Sequence, residues 1–409
     1  MKRTLLTLMT AAAVLSSCTE RQTEVLDNPD GPVDQQTAPV VFNANVADVS
    51  TKLTTDLTAA AGSKSVFTEG DQVGIFATTT VAGKTTNYKE TPYGYQRTAE
   101  TEDTKMWKAM GSSLVWQSMS TSAGAKDHSF YAFYPYNSAS TTKEKVVLPS
   151  IADQVHSDID LTVEDFKLID LIAPYDFLVA KKVETDYLSA SDRTPKVAGA
   201  LDLKFDHALA LIEVNVVRAN GAFNEGASTP SKNVEINSTM ITANTLTAKR
   251  TANLTKDPKT DADFWSKAGS VAGTVGITFA TTAGADGKLT ADLAKKPKAP
   301  WLDATTHSVT AGGDATAAKN ATPAKFYFVT YPTPANTEYQ FEINAKVVKN
   351  DNTEYVKEYP LSTVFTAADK FESGKKYTFT VSISDRALTV MDLTITDWVD
   401  GKDYPVVEI

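Results

Sequence analysis

Few side chains in this sequence stand where they could do chemistry themselves. The four histidines, His128, His156, His207 and His307, are widely spaced, and none belongs to an HExxH pair of the kind that holds zinc. No GxSxG elbow, phosphate-binding loop, dinucleotide fingerprint or CxxC pair occurs. Residues 153–166, DQVHSDIDLTVEDF, gather carboxylates around His156, but a calcium loop needs a glycine at its sharp turn and none is present. That stretch reads as a solvated loop. Asp71, next to Gly70, reads as a local hydrogen-bonding turn residue. Paired carboxylates in an acidic chain do not identify a glycosidase without a cleft to place them. The remaining reactive groups are ones on which chemistry is done: the sole thiol, Cys18, and two lysines, Lys52 and Lys64, in a polar loop. The expectation is therefore a protein that is not an enzyme, with no metal and no cofactor.

Cys18 closes a segment with a basic start at Lys2 and Arg3, an apolar run over 5–15 and small residues at Ser16 and Ser17. Such a leader is a secretory signal and is too short to span a bilayer. The tetrad Leu15, Ser16, Ser17, Cys18 resembles the lipobox of bacterial lipoproteins, in which the thiol is acylated and the bond before the cysteine is cut. Residues 1–17 are then the signal peptide. Several acyl chains, at about 0.8 kcal/mol per buried methylene, would hold the mature end in a membrane. With no second thiol there is no intramolecular disulfide, so the folded body relies on burial alone. Residues 18–38 are acidic, contain two prolines and lack large apolar side chains apart from Val25, Leu26 and Val33, which suits a solvated tether.

The elements that follow read as strands. The formal net charge is −10, and loss of Lys2 and Arg3 with the leader makes it −12, so the basic footprint of a nucleic-acid binder is missing. The most periodic stretch is 201–217, LDLKFDHALALIEVNVV. Leu201, Leu203, Phe205, Leu209 and Leu211 share one phase, and Ile212, Val214 and Val216 the other. A change of phase is what a bulge or corner produces, and it suits a strand that leaves one sheet of a sandwich and enters the other. His207 falls in the buried phase and reads as a satisfied core histidine. Earlier, Val40, Phe42, Ala44 and Val46 alternate with polar residues as a first strand. FTEGDQVGIFA at 67–77 gives a turn and then a short strand over 73–77. SFYAFYPYN at 129–137 crowds aromatics on both faces, which reads as burial on both sides and otherwise as a sugar-stacking surface, together with Tyr93 and Tyr95.

After 220–231, which reads as a linker, the same pattern recurs: a strand pair over 234–246, strands at 325–331, 339–347 and 377–383, and a phase change at Met391 that marks a bulge. At 409 residues the chain suggests two domains, 39–221 and 222–409, and an all-β fold.

Four features in this order resemble the fimbrillins, subunits of type V pili in anaerobic Gram-negative bacteria: the lipobox, the first strand with Lys52 followed by FTEGDQVGIFA, FDHALALIEVNV, and the closing SGKKYTFTVSI, LTV and ITDW. The resemblance implies two tandem transthyretin-like β-sandwich domains and export as an outer-membrane lipoprotein displayed at the cell surface in a fimbrium. It also implies cleavage by a trypsin-like protease after a basic residue in the loop behind the first strand. The cut removes a plug made of Val40, Phe42, Ala44 and Val46, and a strand from another pilin subunit fills the groove in a homo- or hetero-polymer that supports adhesion. On this chain the cleavage residue is Lys52, with Lys64 second. Lysine stands where arginine is usual, which leaves open an uncleaved anchor or tip subunit, or an outer-membrane lipoprotein that binds a host glycan or protein ligand.

Overall fold

The computed structural model describes residues 40, 42–46, 67, 69–81, 84–98, 107–114, 126–163, 166–184, 201–223, 233–243, 246, 250–266, 273–286, 288–289, 296–303, 306–309, 321–348 and 353–398. In chain order the strands of the first half are β1 (Phe42–Val46), β2 (Gln72–Val81), β3 (Lys84–Asn87), β4 (Tyr93–Arg97), β5 (Trp107–Ala109), β6 (Lys126–Tyr134), β7 (Val146–Val147), β8 (Val155–Ile159), β9 (Leu178–Glu184) and β10 (Leu201–His207). Those that follow are β11 (Ala210–Arg218), β12 (Val234–Ala243), β13 (Thr251–Ala252), β14 (Gly273–Phe279), β15 (Trp301–Leu302), β16 (Ala324–Thr330), β17 (Thr337–Val348), β18 (Tyr355–Ala367), β19 (Lys375–Ile383) and β20 (Leu388–Asp397). The all-β expectation is met; the helical elements among the described residues are short 3-10 turns such as Ile151–Asp153 and Leu168–Tyr175.

Two sheets form a sandwich, mostly from second-half strands, with β8 and β11 added to them. One runs β16-β11-β19-β20, the other β18-β17-β12-β14-β8 with β15 beside β12. Buried and more exposed side chains alternate along β17, where Tyr339, Phe341, Ile343 and Ala345 face inward. Across the gap Phe379 meets Phe341 with ring centroids 5.1 Å apart, and Phe326 meets Phe279 at 6.1 Å. The bulge read at Met391 is present: Thr380 pairs with Asp392 and Val381 with Val390, so Met391 is left over.

An eight-stranded sheet, β1-β10-β9-β6-β2-β4-β5 with β3 beside β2, carries the other core. Its strand β6 is buried on both faces. Phe130, Ala132 and Tyr134 join Val73, Ile75, Leu203 and Phe205 in one apolar cluster, while Tyr131 and Phe133 join the larger cluster shared with the sandwich. The aromatic crowding in 129–137 is thus core, as expected, and Tyr93 and Tyr95 are buried too.

Several expectations change. The phase switch in 201–217 is a corner and not a bulge, and the expected passage from one sheet to another occurs there: the ladder stops at His207, and Ala208 and Leu209 carry the chain into another sheet, where β11 pairs with β16 and with β19. Both faces of β11 are buried except at Asn215, so its apolar residues need not alternate. Residues 153–166 are not a free loop. Strand β8 lies parallel to β14, and the side-chain amide of the buried Gln154 donates to Val329 O and accepts from Val329 N, both at 2.8 Å. Because β8 and β11 belong with second-half strands, sheet membership does not follow a boundary at 221/222. The start of the linker reading, 220–223, is a turn with Ala222 and Phe223 buried, clamped by Arg218 Nη2 donating to Ala222 O at 2.8 Å. The pair of strands read over 234–246 is one strand, β12, with an irregularity between Ile236 and Ser238.

Candidate functional site

The first strand ends one edge of the eight-stranded sheet. Among the described residues its ladder partner is β10, in parallel, with Phe42 opposite Leu201, Ala44 opposite Leu203 and Val46 opposite Phe205. Val40, Phe42 and Ala44 are 4–5 % exposed, so this edge strand turns its apolar face inward. The sheet curls until its two ends meet: the Phe42 ring lies edge-on to Tyr95 of β4 at 4.8 Å and stacks on Trp107 of β5 at 6.0 Å. Beyond β5, Leu114 closes the outer side. Its carbonyl accepts from Val40 N at 2.9 Å, and its own N–H donates to Tyr95 Oη at 2.6 Å. Burial, with Tyr93 nearby, raises the Tyr95 phenol, and the Leu114 N–H pulls it partly back.

The floor of this slot is aromatic. Phe67 meets Trp107 and Phe205 at 5.2 Å each and Tyr134 at 5.5 Å. Asp71, expected to bond locally in its turn, instead ties distant segments together: its carbonyl accepts from Arg97 N, and its carboxylate bonds to the Tyr134 hydroxyl. Burial first, then the charges of Asp71 and Asp176, raise Tyr134 well above the usual phenol range. His207, at the end of β10, is buried as expected and bonds through Nδ1 to Asp176 Oδ1 at 2.9 Å.

The structure brings the predicted strand residues Val40, Phe42 and Ala44 together against β10, with Val46 placed in the same ladder. Cys18, Lys52 and Lys64 lie outside the described residues. Sequence reasoning missed the wall of the slot. Trp107, Tyr95 and Leu114 are separated from Phe42 by more than fifty residues, and only a pairing order could have linked them. It also missed buried charges, among them Glu235, which accepts from Trp301 Nε1 at 3.0 Å and Tyr355 Oη at 2.7 Å. Among the described residues no group of three or more His, Cys, Asp or Glu side chains could hold a metal ion, and no helix is long and apolar enough to cross a membrane.

An all-β chain whose first strand ends a curled sheet is a matter of architecture, and comparison with known proteins gives it a family. The fimbrillin-like family model matches residues 58–398, and the chain belongs to that family. Among solved structures, one from Bacteroides ovatus assigned to cell adhesion shares 16 % identity, covering 89 % of this chain and 99 % of its own, with a TM-score of 0.42. A fimbrial protein from Bacteroides vulgatus shares 16 % identity over 80 % and 92 % of the two chains at a TM-score of 0.39. The fimbrial anchor protein Mfa2 from Porphyromonas gingivalis shares 8 % over 88 % and 99 % at 0.30. The comparison with curated proteins returned no match.

Proposed function

We propose that this chain is a structural subunit of a surface fimbria, a type V pilus. It is exported as an outer-membrane lipoprotein acylated at Cys18, matured by a trypsin-like protease at Lys52, and polymerised by donor-strand exchange. The family supports the pilus-subunit role, and structural subunits of this kind are not enzymes. The observation that supports the exchange step is the position of β1, which among the described residues is an edge strand with one ladder partner and a buried apolar face. An edge strand can leave without breaking a sheet in two, and a strand from another subunit can take over its backbone bonds and pockets.

The magnitudes allow this. Burial of Val40 and Phe42 contributes about 3–6 kcal/mol before ordering costs. That is enough to keep an intact chain plugged, and many such joints in series would open slowly. Brief heating of surface material in detergent tests the reading: a ladder of multimers with Leu53 as the first residue of each subunit supports it. A lone monomer band with a blocked Cys18 overturns it. That second outcome would favour the uncleaved anchor, tip or ligand-binding lipoprotein.

A further inference from the structure

We propose that Tyr95 and Trp107 form an aromatic pocket that selects the strand occupying the β1 slot by the side chain at the Phe42 position. The occupant in the assembled state is an extended segment of a second fimbrillin-like chain carrying an aromatic side chain at that place. This rests on the donor-strand reading and says what the slot reads.

The argument starts from unequal demands along β1. Backbone pairing with β10 accepts any extended segment, because the ladder bonds do not see side chains. Val40 is held at its outer side by a main-chain bond to Leu114, which is equally indifferent to side-chain type. Ala44 presents only a methyl group. Phe42 meets shaped aromatic partners: an edge-on ring on one side, Tyr95, and a stacked indole on the other, Trp107. A flat ring between an edge and a face satisfies both aromatic quadrupoles, whereas a branched aliphatic side chain fills volume without that match. The pocket is also fixed in place. Phe67 braces Trp107 from behind, and the Tyr95 hydroxyl is tied to Leu114 N, so neither wall is free to collapse onto a smaller guest. Trp107 is only partly buried with β1 in place, so the pocket lies at the rim of the sheet and can be entered once β1 is displaced.

The experiment uses the full chain with a specific protease sequence placed within residues 47–66, nicked in solution, and a fluorescent peptide with the sequence of residues 39–46. Exchange of the peptide into the nicked chain is followed by anisotropy, with unlabelled variants as competitors. The unaltered and Phe42→Tyr peptides should compete within about threefold of each other, and Phe42→Ala at least roughly thirtyfold more weakly, a larger loss than Val40→Ala causes. In a Trp107→Leu chain the Phe42→Ala penalty should shrink to under about fivefold, and Trp107→Phe should restore most of it. Should Trp107→Leu not fold, Tyr95→Leu takes its place, and the peptide series in the unaltered chain decides on its own. Exchange that proceeds with no preference for an aromatic, or a preference untouched by either wall substitution, overturns the pocket while leaving donor-strand exchange standing. A folded, nicked chain that takes up no peptide overturns both.

Discussion

The imidazole of His207 lies flat on the indole of Trp398, with ring centroids 3.8 Å apart and planes inclined by 17°. His207 ends β10, the strand that holds β1, and Trp398 follows β20 at the far end of the described chain. Gly374 sits between these segments, donating its N–H to Leu209 O and accepting from Trp398 N. The stack therefore fastens the sheet that carries the slot to the sandwich.

Trp398→Ala should cost about 3–5 kcal/mol, because a buried indole is lost and the His207–Asp176 pair is opened to water. Urea unfolding measures it. The double variant with His207→Ala should lose clearly less than the two single losses together, since both remove the same contact.

Gly74 faces the ring of Phe133, and a methyl group there would overlap it. Phe133 is fully buried and cannot swing away, so Gly74→Ala should destabilise by about 1–3 kcal/mol. Adding Phe133→Leu to that variant should recover part of the loss, read as a rise in thermal midpoint.

Glu235 is fully buried and fastens Trp301 and Tyr355 to the start of β12. Glu235→Ala would leave an indole N–H and a phenol without their acceptor, at about 2–4 kcal/mol. Far-UV dichroism in denaturant should show the earlier midpoint, and Trp301 fluorescence should report the opened contact.

Stability should fall as pH rises above about 10. Burial is the leading cause that raises Tyr134, Tyr327, Tyr355 and Tyr377, the last to about 12. Each stays protonated in the fold while the unfolded chain ionises, so their contribution is complete below the unfolded value and is lost on the way up to the folded one. Burial lowers Arg218 to about 10, with Asp303 opposing, and also lowers Arg250 and Lys89, which acts in the other sense. The raised phenols outnumber these cations, since Tyr93, Tyr95, Tyr175 and Tyr331 are raised as well. Urea midpoints between about pH 8 and 11.5 should decline, and phenolate absorbance should appear together with unfolding for these residues.

Lys52→Ala should abolish the multimer ladder and leave the acylated precursor at the surface, read by gel after brief heating and by N-terminal sequencing. A ladder that persists with residue 65 first would move the cut to Lys64.

Alternation alone made the strands legible. Val40–Phe42–Ala44, Leu201–Leu203–Phe205 and Tyr339–Phe341–Ile343 each keep one face in oil and one in water, and that period depends only on local backbone geometry. The left-over residue at Met391 was legible for the same reason. The aromatic run 129–137 disclosed that both faces of β6 are covered, without disclosing by what.

Tertiary structure alone decided which strands are neighbours. Pairing is set by the total burial of all strands at once, so β8 and β11 joined sheets whose other members lie a hundred or more residues away in several cases. Three outcomes followed that no local pattern carries: β1 at an edge, the curl that lays Phe42 on Trp107, and the stack of His207 on Trp398. A strand's period says which side chains point inward, and only closure of the whole fold says what they meet there.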